Sequence, residues 1–148
     1  MLFTAFFAFS MTGCGNPGTA LAAPAGWVRE CPSDAFCFQR PANLVLKPAQ
    51  AIDSLAAEYR SDDLILRYDM GRYPTSLAHL VKPKEEAVTI GGRPARVLVS
   101  EREIVLVVPK VRDTGAVNVQ FTMSLVFNST ASRELAQQVF SSIEFKAR

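Results

Sequence analysis

Apolar and polar residues alternate most clearly near the end of the chain. Val117, Val119, Phe121, Met123, Leu125 and Phe127 take every second position, with Asn118, Gln120, Thr122 and Ser124 between them. Successive strand side chains point to opposite faces, so this period of two predicts a strand over Ala116–Phe127 with one dry and one wet face. Ile104 to Val108 is apolar without alternation, which predicts a strand over Arg102–Val108 covered on both faces. Between Ala87–Ile90 and Pro94–Ser100, the pair Gly91-Gly92 permits the positive φ values of a tight two-residue hairpin. Trp27–Glu30 and Phe36–Arg40 flank a Pro-Ser-Asp turn, with Pro41 ending the second run. Leu44–Leu46 is a short apolar stretch, and Ala56–Arg60 and Leu64–Met70 flank the turn composition Ser61-Asp62-Asp63.

The period changes after Phe127. Within Asn128–Phe140, Leu135 and Val139 stand four apart, Ile143 continues the spacing, and Ala136 and Phe140 lie beside them. One apolar stripe of this kind predicts a helix, with Ser129 or Thr130 available as its N-cap. Ser142–Phe145 is expected to return as a short strand, and Ser76–Val81 to make one helical turn closed by Lys82 and Pro83. The expected fold is α+β, an antiparallel sheet with a C-terminal helix packed on it. No period of repeat length recurs.

The 148 residues suffice for one domain with its own core. The 16 Lys and Arg and 14 Asp and Glu all lie between Arg29 and Arg148, so the first 28 residues carry no charge. Leu2–Met11 has the length of a signal-peptide apolar region and is too short to span a bilayer. Gly13, Gly15, Pro17 and Gly18 break it, and Ala20-Leu21-Ala22 is a small-x-small cleavage pattern. Residues 1–22 are expected to be a signal peptide cut before Ala23, ahead of a single domain over 23–148. The alternative is a lipoprotein signal over 1–13, because Met11-Thr12-Gly13-Cys14 resembles a lipobox whose Cys14 would be lipidated. A net charge of +2 without basic clusters excludes a nucleic-acid surface.

Export also fits the cysteines. Losing or lipidating Cys14 leaves Cys31 and Cys37 as a pair. Their spacing is neither a redox Cys-x-x-Cys nor a zinc pattern, so a structural disulfide across a short hairpin is expected.

A resemblance follows from short motifs. Asp53-Ser54 leads into Glu58-Tyr59-Arg60 and Tyr68-Asp69-Met70-Gly71-Arg72-Tyr73. Ile90-Gly91-Gly92-Arg93-Pro94-Ala95-Arg96 follows, and last comes the expected helix with Ser142-Ile143-Glu144-Phe145. In this order they resemble small exported bacterial proteins of unknown function with a PsbP-like α/β/α sandwich. The resemblance spans nearly all of residues 27–148. It implies a fold and an envelope location, and no activity.

Chemistry is sparse. His79 is the sole histidine and reads as a partly buried spacer beside Leu77, Leu80 and Val81. There is no Gly-x-Ser-x-Gly elbow and no phosphate loop, and neither Asp62-Asp63 nor Glu85-Glu86 has the spacing of a calcium loop. No cofactor or metal is expected. One polar and aromatic constellation stands out as a recognition patch: Tyr59, Arg60, Arg67, Asp69, Arg72 and Tyr73. The expected role is a non-enzymatic docking or ligand-binding module of the cell envelope, periplasmic or secreted. Its partner would be an envelope protein or a small ligand, and it would meet a membrane only if lipidated at Cys14. The alternatives are an envelope enzyme using Asp69 with Arg67 or Arg72, and a scaffold tethered through Cys14.

Overall fold

The computed structural model describes residues 22–48, 51–113 and 118–146. The apolar run Leu2–Met11 and Cys14, on which the signal-peptide and lipobox expectations rest, lie outside the described residues. The elements are β1 (Trp27–Glu30), β2 (Phe36–Pro41), β3 (Val45–Lys47), β4 (Ser54–Arg60), β5 (Leu64–Gly71) and β6 (Lys84–Ile90). They continue with β7 (Arg93–Val99), β8 (Glu103–Asp113), β9 (Asn118–Phe127), α1 (Arg133–Ser141) and β10 (Glu144–Phe145).

Two antiparallel sheets form. The larger has the order β3-β4-β5-β9-β8-β7-β6, and the smaller has the order β1-β2-β10. The alternation in β9 sets the faces: Phe121, Met123 and Leu125 are fully buried on the inner face, beneath the small sheet and α1. Leu66, Tyr68 and Met70 of β5 and Ile104, Leu106 and Val108 of β8 join them. From the small sheet, Phe36 and Phe38 of β2 reach into the same core. The Phe36 ring meets Tyr68 and Phe121 edge-on, at centroid distances of 5.2 and 5.0 Å.

The expected α+β sandwich is corrected by this arrangement. Strands make up 54% of the described residues and helix 8%, so the fold is β-rich and is not the PsbP-like α/β/α sandwich that the resemblance implied. Two physical causes are visible. The N-terminal hairpin recruits β10 into a sheet of its own, pairing Glu144 with Cys37 and Phe145 with Phe36, and so takes over much of the covering role expected of the helix. The helix itself is short. Ala131 N–H donates to the Glu101 carbonyl, which ties residues ahead of the helix to the β7–β8 turn, and Ser132 becomes the N-cap by accepting from Leu135 N–H at 3.2 Å.

Other expectations hold locally. Gly91 and Gly92 turn the β6–β7 hairpin with φ of 55° and 75°. A Cβ on Gly91 would also lie 2.9 Å from the Phe145 ring, so that position is closed to larger residues twice over. Ile104 to Val108 is buried on both faces. The β8 ladder continues past Val108 across a bulge before Arg112, near Pro109, which has no N–H to donate. Ser76–Val81 forms no helix and only a turn, with Leu80 N–H donating to the Leu77 carbonyl at 3.0 Å.

Cys31 and Cys37 are joined in a disulfide that closes the β1–β2 turn. The loop is small, so reduction is expected to cost only about 2 kcal/mol. Urea midpoints with and without dithiothreitol measure this, and an unchanged midpoint would contradict it.

Candidate functional site

The connection from β5 to β6 shapes the outer face. β5 lies mid-sheet and β6 at the far edge, so residues 72–83 must cross β9, β8 and β7. This strap packs Leu77 and Leu80 onto Leu98, Val105 and Val107. His79 pins it further, its Nε2 lying 2.9 Å from Glu103 Oε2. The outer face of β9, which the alternation predicted to be wet, is so only in part: Asn118 is exposed and Gln120 and Ser124 are half-buried. Thr122, opposite Asp69 in the register, is only 5% exposed.

Where the strap leaves the sheet uncovered, a half-open cleft of about 270 Å³ remains. Arg67 and Asp69 line it from β5, Glu58 from β4, Thr122 and Ser124 from β9, and Glu103 and Val105 from β8; Thr75, Leu77 and His79 line it from the strap. Glu58 accepts from Arg60 Nε and Arg67 Nε. These two guanidinium hydrogen bonds hold its carboxyl below the usual glutamate range. Asp69 is half-buried, its backbone is paired in the ladder, and its carboxylate makes no side-chain hydrogen bond or ion pair with any described residue. The cleft thus presents three carboxylates against one guanidinium and one imidazole.

The recognition patch read from the sequence is divided by the sheet. Arg67 and Asp69 stand together in the cleft, and Arg60 flanks it through Glu58. Tyr59 points the other way, into the core, 3% exposed and beneath the Arg40 guanidinium. Burial pushes its phenol, and that of Tyr68, above the ordinary tyrosine value. Arg72 and Tyr73 are exposed at the start of the strap and do not line the cleft, so the pairing of Asp69 with Arg72 is not assembled. The sequence reading missed Glu58, His79, Glu103, Thr122 and Ser124. His79, expected as a partly buried spacer, is more than half exposed and paired with Glu103, because Leu77 and Leu80 take the inward positions beside it.

Comparison with family models, curated proteins and solved structures finds no match for this chain. Its chemistry must be read from the residues themselves. Among the described residues, no group of three or more His, Cys, Asp and Glu could hold a metal ion. Among them, too, no helix is long and apolar enough to cross a membrane.

Acid should weaken the fold through these carboxylates. Glu58 is held low by Arg60 and Arg67, and Glu144 by Arg29, whose guanidinium donates to it twice at 3.0 Å. A carboxyl depressed in the folded state contributes stability above its unfolded value, near 4.5, and loses it as pH falls through the lower folded value. The melting temperature is expected to drop between pH 5 and 3, and to drop less in Glu58→Gln. Thermal melts by circular dichroism across that range check it.

Proposed function

We propose that this chain is an exported cell-envelope module that binds a ligand or partner rather than catalysing a reaction, with the outer-face cleft as its site. The observation that carries the reading is Asp69, a half-buried carboxylate without a side-chain partner among the described residues, lining a cleft whose charges are mostly negative. Such a site favours a cation. The best-matched group is an ammonium or guanidinium at the tip of an apolar stem, with its charge on Asp69 and its stem against Leu77 and Val105. A partner's lysine or arginine side chain and a small alkylamine offer the same chemistry. Export is supported by the uncharged leader and by a disulfide of the kind oxidising compartments maintain. The intact mass of the mature N-terminus separates cleavage before Ala23 from lipidation of Cys14.

Titration with hexylammonium tests the site. It should bind, while neutral hexanol should not. Asp69→Asn keeps the shape and removes the charge, and a charge-assisted hydrogen bond contributes about 1.5–3 kcal/mol. Affinity should therefore fall about tenfold or more in that variant, at an unchanged melting temperature. Equal affinity in the folded variant would contradict the assignment.

A further inference from the structure

The inner face of the large sheet is covered unevenly. The small sheet lies over β5 and β9, and α1 presses Ala136, Val139 and Phe140 toward β8 and β2. The β6–β7 end extends beyond this cover, and Val88, Val97 and Val99 on it are only partly buried. Between this edge and α1 runs a groove of about 380 Å³, within the size range of small-molecule sites. Its inner wall, Ile104, Ala136 and Phe140, belongs to the main core and is at most 3% exposed, so the groove abuts the core.

The mouth is charged. Arg133 donates to Glu86, and Lys84 Nζ lies 3.3 Å from the same carboxylate. Lys84 stands just outside the lining, and with Arg133 it shares one carboxylate, which leaves an excess positive charge beside the mouth of the groove. We propose that this groove binds a free single-chain aliphatic carboxylate, with the chain along Val88, Val97 and Val99 and the carboxylate on Arg133. A guanidinium can hold a carboxylate through two parallel hydrogen bonds, and an exposed ion pair such as Arg133–Glu86 is readily exchanged. An alkyl chain there would complete the hydrophobic cover that α1 leaves unfinished. This site lies on the opposite face of the large sheet from the Asp69 cleft and takes the opposite charge.

Calorimetric titration of the full chain with octanoate and decanoate tests the proposal. One site is expected, and decanoate should bind about tenfold more tightly, at roughly three- to fourfold per added methylene. Arg133→Gln should weaken octanoate about fivefold or more while leaving octanol unchanged. Gln137→Trp, at an exposed helix position on the groove wall, should block both. Asp69→Asn should leave decanoate binding intact, so failure here is distinguishable from failure of the cleft reading. No carboxylate binding, or binding indifferent to Gln137→Trp, would overturn it. So would groove-dependent sedimentation with anionic phospholipid vesicles in the absence of decanoate binding, because the face would then be a membrane contact.

Discussion

Phe36→Ala is expected to destabilise the protein by about 3–5 kcal/mol, the range for removing a fully buried aromatic ring. Phe36 has no exposed surface and stands in the central strand of the small sheet, flanked by β1 and β10. Its ring contacts Phe38 at 5.9 Å, Tyr68 at 5.2 Å, Phe121 at 5.0 Å and Phe145 at 6.4 Å between centroids. These contacts join both sheets and the C-terminal strand, so an alanine leaves a cavity where the layers meet. The surrounding backbone is held by β10, paired at Phe36 and Cys37, and by β1, paired from Phe38 to Pro41, and can collapse only partly. Urea denaturation measures the loss. Phe36→Leu, which fills much of the space, should cost less, and an alanine variant with the wild-type midpoint would show that the two sheets do not share this core.

The second large effect is expected at Arg40. Its side chain is only 10% exposed, and its guanidinium lies 4.5 Å from the centre of the Tyr59 ring. One terminal nitrogen donates to the carbonyls of Leu44 at 2.8 Å and Pro41 at 3.1 Å, and the other donates to Glu30. The Arg40 side chain thus fastens the turn after β2 to the edge of the core, and its removal leaves two carbonyls and a carboxylate to find water. Arg40→Ala is expected to cost about 3 kcal/mol. Arg40→Met keeps most of the apolar stem over Tyr59 and should cost less. Chemical denaturation of both variants reads the difference, and equal losses would assign the whole effect to the charge and none to the stem.

Local features were legible because their causes are local. The Gly91-Gly92 turn, the buried run Ile104 to Val108, the inner-face stripe of β9 and the Cys31–Cys37 bridge all depend on residues close in the chain. The helix cap shows where that limit falls. Ser129, Thr130 and Ser132 are chemically equivalent candidates, and a long-range bond from Ala131 to Glu101 selects Ser132. The second sheet was hidden for the same reason, since β10 is two residues long and has meaning only beside β2.

The site was half legible. Arg67 and Asp69 share a face by parity, and parity also separates Tyr59 from Arg60, a separation that grouping them in one patch overlooked. Placing Asp69 opposite Thr122 requires β5 to pair with β9, strands far apart in sequence. Seating His79 on Glu103 requires the strap, whose course follows only from the full strand order.

Mapping the hexylammonium site by amide chemical shifts addresses the cleft most directly. Perturbations are expected at Asp69, Thr122, Ser124, His79 and Glu103, with their titration lost in Asp69→Asn. Perturbations confined to α1 and the β6–β7 edge, or unchanged in Asp69→Asn, would contradict a cation site built on Asp69.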